Sequence, residues 1–167
     1  MKRTIMRTAF ITIFCATFLG LGSAAHAQDS GVCSNATVAG KWGYTYTGTI
    51  LVPTPTGTLP VPVAAVGRFT VDIDGNLSGT QTRSNGGASA QETLTGKITV
   101  NADCTGTGNF NVYQSGQLVR TGVLAFVFDD DSKEARAIFE SLTLVNGPTL
   151  PVVITAQARK ISVASAN

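Results

Sequence analysis

Tight-turn chemistry recurs at short intervals along this chain, and it separates runs whose side chains alternate between apolar and polar. Asp74-Gly75-Asn76, Asn85-Gly86-Gly87, Ser115-Gly116 and Asn146-Gly147-Pro148 all favour abrupt chain reversal. The runs between them are rich in Thr, Val, Ile, Phe and Tyr, and no helical period persists from residue 28 onward. Eight strands are expected, over 41–52, 63–73, 77–84, 89–100, 105–113, 117–128, 134–145 and 149–160. Connections this short force neighbours to run antiparallel, so the strands form a meander.

The alternation assigns faces. Trp42, Tyr44, Tyr46, Gly48, Ile50 and Val52 share one side of the first strand, against Thr45, Thr47 and Thr49 on the other. Phe69, Val71 and Ile73 oppose Arg68, Thr70 and Asp72; Leu94, Ile98 and Val100 oppose Thr93, Thr95, Lys97 and Thr99. Each strand thus has one face to bury and one to wet. Eight such strands bury that face by closing on themselves, which also removes the exposed sheet edges. The expected fold is all-β: a single eight-stranded antiparallel up-and-down meander barrel. Pro53 to Pro62 is the exception to the short turns; its four prolines (Pro53, Pro55, Pro60, Pro62) predict a stiff, extended loop, available as a lid.

The amino-terminal 27 residues read as an address rather than as structure. Lys2, Arg3 and Arg7 precede an apolar run from Ala9 to Leu21, and Ala25-His26-Ala27 places small residues at a cleavage site. Cleavage there leaves residues 28–167 as one all-β domain, exported to the periplasm or beyond the cell. It also leaves nine basic residues against ten acidic ones, a net charge of −1. That balance offers no electrostatic reason to bind nucleic acid. No later apolar run approaches the roughly 20 residues needed to span a bilayer as a helix.

The only histidine, His26, lies in the leader. The domain therefore lacks the commonest general base and the commonest zinc ligand. No metal or cofactor is implied, and no catalytic constellation is visible. Cys33 and Cys104 are expected to pair in an oxidising compartment, closing a loop of about 70 residues. Asp129-Asp130-Asp131 lacks the spacing of a calcium loop and is read as a solvated turn.

Gly40-Lys41-Trp42, opening the first strand of an eight-stranded meander, resembles the calycins, meaning lipocalins and avidin-like proteins. The resemblance implies that Trp42 closes one end of the barrel beneath a basic side chain of the last strand, Arg159 or Lys160, with Arg159 preferred. The lipocalin Thr-Asp-x-Tyr signature is absent, and one tryptophan cannot supply the several of an avidin-like biotin site. More of the chain, including Gly67-Arg68-Phe69-Thr70 and the stretch from Val100 to Gly106, is similar to a broad set of small exported bacterial β-proteins. That likeness implies export and an all-β domain, and no chemistry. The competing fold is the immunoglobulin sandwich, whose Cys-Trp-Cys order is mimicked by Cys33, Trp42 and Cys104. Against it, Cys104 sits in a turn-like Asp103-Cys104-Thr105-Gly106.

Strict alternation puts several polar side chains on the apolar face. Gln81 and Arg83 share a side with Leu77, Glu92 with Leu94, Arg120 with Leu118 and Leu124, and Glu140 with Leu142. A closed apolar interior holds charges only when they are paired or solvated. Gln81, Arg83, Glu92, Arg120 and Glu140 are therefore the candidate ligand-binding residues, a polar floor or rim in a mostly apolar cavity. The expected function is binding of a small, largely apolar ligand. The alternatives are a structural or protein-interaction module with a side-chain-filled barrel, and an enzyme using a carboxylate pair such as Glu92 with Glu140.

Overall fold

A computed structural model describes residues 32–129 and 131–161 of the chain; the expected leader lies outside the described residues. One helical turn, α1 (Asn35–Val38), precedes the strands β1 (Gly40–Thr54), β2 (Gly57–Val71), β3 (Asn76–Asn85), β4 (Ala88–Val100), β5 (Thr105–Gln114), β6 (Gln117–Phe128), β7 (Glu134–Leu144), β8 (Thr149–Leu150) and β9 (Val152–Lys160). Every pairing is antiparallel. Consecutive strands pair from β1 to β7, and β9 lies between β7 and β1. Pro151 interrupts the final strand into β8 and β9, so the sheet closes as the expected eight-stranded meander barrel rather than a sandwich.

The turns work as their residues require. Gly86 and Gly87 have φ of 56° and 92°, and Ser115 and Gly116 have 52° and 79°, the left-handed pairs that match hairpin twist. The β3–β4 turn fixes the register that pairs Gln81 with Glu92 and Arg83 with Ala90.

Three expectations are corrected. The proline segment is not a loop: it is the end of the β1–β2 hairpin, paired through Thr49–Pro62, Leu51–Pro60, Pro53–Thr58 and Thr54–Gly57. Leu51 N donates to Pro151 O, away from β2, and Pro62 O accepts from Gly86 N, away from β1. Pro53 and Pro60 share that parity, so these prolines stand where no donor is owed to the hairpin partner. Second, Glu140 is exposed, on the outside of the barrel. The β6–β7 register shifts between Val123–Ser141 and Leu124–Phe139, inserting one extra residue into β7. The bulge lets Phe139 and Leu142 both face inward, which strict alternation forbids. Third, Arg159 is not the basic residue at Trp42; β9 pairs Lys160 with Trp42 and turns Arg159 outward.

Two apolar clusters line the barrel interior. One surrounds Trp42 with Val38, Val71, Ile98, Phe126 and Phe128; the other holds Tyr46, Ile50, Val63, Ala65, Leu142, Leu150 and Ile154. The inward glycines are occupied by neighbours rather than left as space. A Cβ on Gly122 would meet the Phe110 ring at 2.3 Å, and one on Gly67 would meet the Tyr44 ring at 2.8 Å.

The Trp42 end is sealed. Ser34 and Thr37 form a reciprocal cap on α1, and Val38 is fully buried beneath the barrel. Trp42 Nε1 donates to Val38 O at 2.9 Å, while Lys160 Nζ donates to Thr37 O at 2.9 Å and lies 5.7 Å from the indole centroid. The Cys33–Cys104 disulfide ties this plug to the β4–β5 turn, as the pairing expectation requires.

Candidate functional site

Four of the five sequence-derived candidates converge on one point inside the barrel. Glu92 on β4 is the centre, its side chain wholly inaccessible. Gln81 faces it from β3, and Gln81 Nε2 donates to Glu92 Oε2 at 2.6 Å. Arg83, one pleat nearer the open end, lies between Ala65 on β2 and Ala90 on β4. Those small partners leave room for its Nε to bend back to Glu92 Oε1 at 2.9 Å. Arg120 reaches from β6 across Val112 of β5 and grips both carboxylate oxygens, at 2.8 and 2.5 Å. Tyr44 completes the set, its hydroxyl donating to Gln81 Oε1 at 2.7 Å.

Glu92 thus accepts four hydrogen bonds, one for each lone pair its two oxygens direct outward. Burial alone would push its carboxyl up, and that is the largest single effect. The bonds from Arg120, Gln81 and Arg83 outweigh it and hold the pKa down at about 2. Burial raises the Tyr44 hydroxyl well above the ordinary phenol range and raises the Tyr46 hydroxyl as well, so both stay protonated. Two guanidiniums against one carboxylate leave the network with a charge of +1.

Two spaces border the network. Inside the barrel, a cavity of about 130 Å³ runs from Val38 and Trp42 to Arg83 and Arg120, with Tyr46, Phe69, Phe110 and Phe139 among its walls. Above it, a pocket of about 350 Å³ opens under the proline hairpin, between Ile50, Val52, Pro53 and Val61 on one side and Leu142, Leu144, Pro148 and Leu150 on the other. Arg83 and Arg120 border both spaces. Asn85, at the end of β3, also lines the mouth, and its Oδ1 is buried without a hydrogen-bond partner among the described residues.

The remaining candidates stand elsewhere. Glu140 faces solvent on β7, so it cannot join Glu92 in a carboxylate pair. Arg159 is bonded to Glu134 at 3.0 Å on the surface. Asp129 Oδ1 accepts from Lys133 N and Glu134 N, and Asp131 pairs with Lys133, which is turn architecture. Among the described residues no acidic, histidine or cysteine group is arranged to hold a metal. Sequence reasoning missed the Tyr44 hydroxyl, which was assigned only to an apolar face, and Asn85, which read as a turn residue. Their parity with Trp42 and with Gln81 was the available signal.

No protein-family model matches this sequence, and no curated protein matches it. Solved structures do resemble the fold. A structure of EF1p2_mFAP2b bound to DFHBI is 10% identical with a TM-score of 0.51, covering 75% of this chain and 94% of that one. A redesigned β-barrel, mFAP1, bound to DFHBI, is 16% identical with a TM-score of 0.47, covering 75% and 97%. Rv2717c from M. tuberculosis is 14% identical with a TM-score of 0.34, covering 76% and 94%. The likeness to EF1p2_mFAP2b is one of fold: both are small closed β-barrels.

Proposed function

We propose that this chain is an exported barrel that binds a small, largely apolar ligand. The observation that carries the reading is the interior itself: an aromatic-walled cavity of about 130 Å³ left open beneath a buried polar network. A dry cavity of about 150 Å³ lined by apolar side chains is enough to take up benzene. Polar groups placed at one end of such a space are what orients a ligand. EF1p2_mFAP2b, alike in fold, is bound to DFHBI, which is in keeping with this use of a small barrel. The placement of Trp42 at the sealed end beneath Lys160 favours a calycin-like relationship. Export accords with the leader and with a disulfide, a bond that persists in oxidising compartments.

Binding is favoured over catalysis by the state of Glu92. Its lone pairs are fully engaged and its pKa is held at about 2, so it is a poor proton acceptor and stays a fixed charge.

The test is titration with toluene, followed by the NMR shifts of Tyr46 and Phe110. Saturable shifts are expected, and Ala156→Leu, which projects into the same cavity, should abolish them while the barrel stays folded. Absence of any saturable response would instead mark a filled structural module.

A further inference from the structure

We infer that the ligand's polar end is a carboxylate with a hydrogen-bond donor beside it, seated on Arg83 and Asn85 under the proline hairpin. The inference rests on the binding role proposed above and specifies its chemistry.

Three observations lead to it. The mouth is lined by two charged residues, both cationic: Arg83 and Arg120. Their only counter-charge among the described residues, Glu92, is wholly inaccessible behind them, so an arriving ligand meets net positive charge. Arg83 is not used up by Glu92. Among the described residues it donates only through Nε, and its side chain keeps 15% exposure. Its two terminal nitrogens remain as a fork of the kind that a planar carboxylate accepts in two parallel bonds. Asn85, one pleat closer to the opening on the same face of β3, presents the complementary need. Its Oδ1 is buried without a hydrogen-bond partner among the described residues, and a turn of the side chain into the mouth would let it accept the N–H or O–H it lacks. An acid with a neighbouring hydroxyl or amide N–H answers both at once.

The body of the ligand follows from the space below. About 130 Å³ walled by Tyr46, Phe110 and Phe139 suits one ring or a short branched chain better than a long acyl tail.

Isothermal titration of the full exported chain with three probes sharing a phenylpropyl body tests this: 3-phenylpropan-1-ol, 3-phenylpropanoate and 3-phenyllactate. The propanoate should bind at least tenfold more tightly than the alcohol, and the lactate several-fold more tightly again. Arg83→Met should collapse the first gap; Arg83→Lys, which keeps the charge but not the fork, should preserve only part of it. Asn85→Leu should collapse the second gap alone. The wild-type ranking needs no variant, so a poorly folding substitution leaves the test intact. Equal affinity for alcohol and acid overturns the carboxylate assignment, and equal affinity for the two acids overturns the donor assignment at Asn85. Toluene binding without binding of the three probes overturns the head-group inference and leaves the apolar site standing. Failure of toluene as well removes the binding reading itself.

Discussion

At the scale of single residues, Glu92 carries more consequence than any other side chain. It ionises at about 2 in the folded protein against an ordinary value of 4.5. Because the folded value is the lower one, its contribution is fully present above about pH 5 and is lost as pH falls from about 4.5 to about 2. The shift corresponds to roughly 3 kcal/mol. Exposed Asp72, Asp103 and Asp131 are also held low by their own hydrogen bonds, so the informative quantity is a difference. Denaturant unfolding from pH 2 to 7 should show a steeper acid loss in the wild type than in Glu92→Gln. That variant should already be weaker by about 3–5 kcal/mol at pH 7, since two guanidiniums lose their counter-charge. Parallel curves would mean that the carboxyl is not held low. Glu140→Gln, on the surface, should change neither stability nor binding measurably. This contrast marks how far the sequence could be read. Period-two alternation brought Gln81, Arg83, Glu92 and Arg120 to one wall because β3 and β4 keep it throughout and β6 keeps it from Arg120 onward; a register shift at Val112/Tyr113 breaks it just before Arg120, so Leu118, expected on the same face, turns outward. It misplaced Glu140 because a bulge adds a residue without any local signal. It chose Arg159 over Lys160 because the register of a last strand against a first, over a hundred residues apart, is set by closure and not by neighbours.

At the scale of elements, the proline hairpin is where sequence reasoning and structure diverge most. Four prolines in ten residues suggest a loop, yet each strand of the β1–β2 hairpin runs to a turn at Pro55-Thr56. The spacing of two residues was the clue. Pro53, Pro60 and Pro62 all occupy positions whose backbone nitrogens point away from the hairpin partner. Beyond Leu51, whose N still bonds Pro151 O, and before Pro62, whose O still accepts from Gly86 N, the hairpin outruns its neighbouring strands, so both of its edges are open there. Prolines on those edges remove the donors that another strand would capture. Replacing Pro53, Pro60 and Pro62 together by Thr should leave thermal stability near the wild-type value, because no hairpin bond is lost. The same variant should self-associate at high concentration in sedimentation experiments. A monodisperse variant would show that the prolines serve the shape of the mouth alone.

At the scale of the whole molecule, the barrel has two unlike ends, and on the binding role proposed above the difference sets where a ligand would enter. The lower end is closed by α1, by Trp42 bonded to Val38, by Asn35 Oδ1 accepting Val100 N at 3.0 Å, and by Cys33–Cys104. The upper end carries the hairpin, the cationic mouth and Asn85 Oδ1, which has no hydrogen-bond partner among the described residues. The disulfide bridges 71 positions, and chain-entropy arguments give such a closure about 4 kcal/mol. The double variant Cys33→Ser, Cys104→Ser should therefore melt on the order of 10 °C lower. Its ligand association and dissociation rates, measured at a temperature where it is folded, should match the wild type if entry is through the mouth as proposed, because the bond lies at the opposite end. The proposed binding role thus puts stability and access at opposite ends of one tube. A serine variant with faster association would place the gate at the plug, and the arginines would then meet the ligand last instead of first.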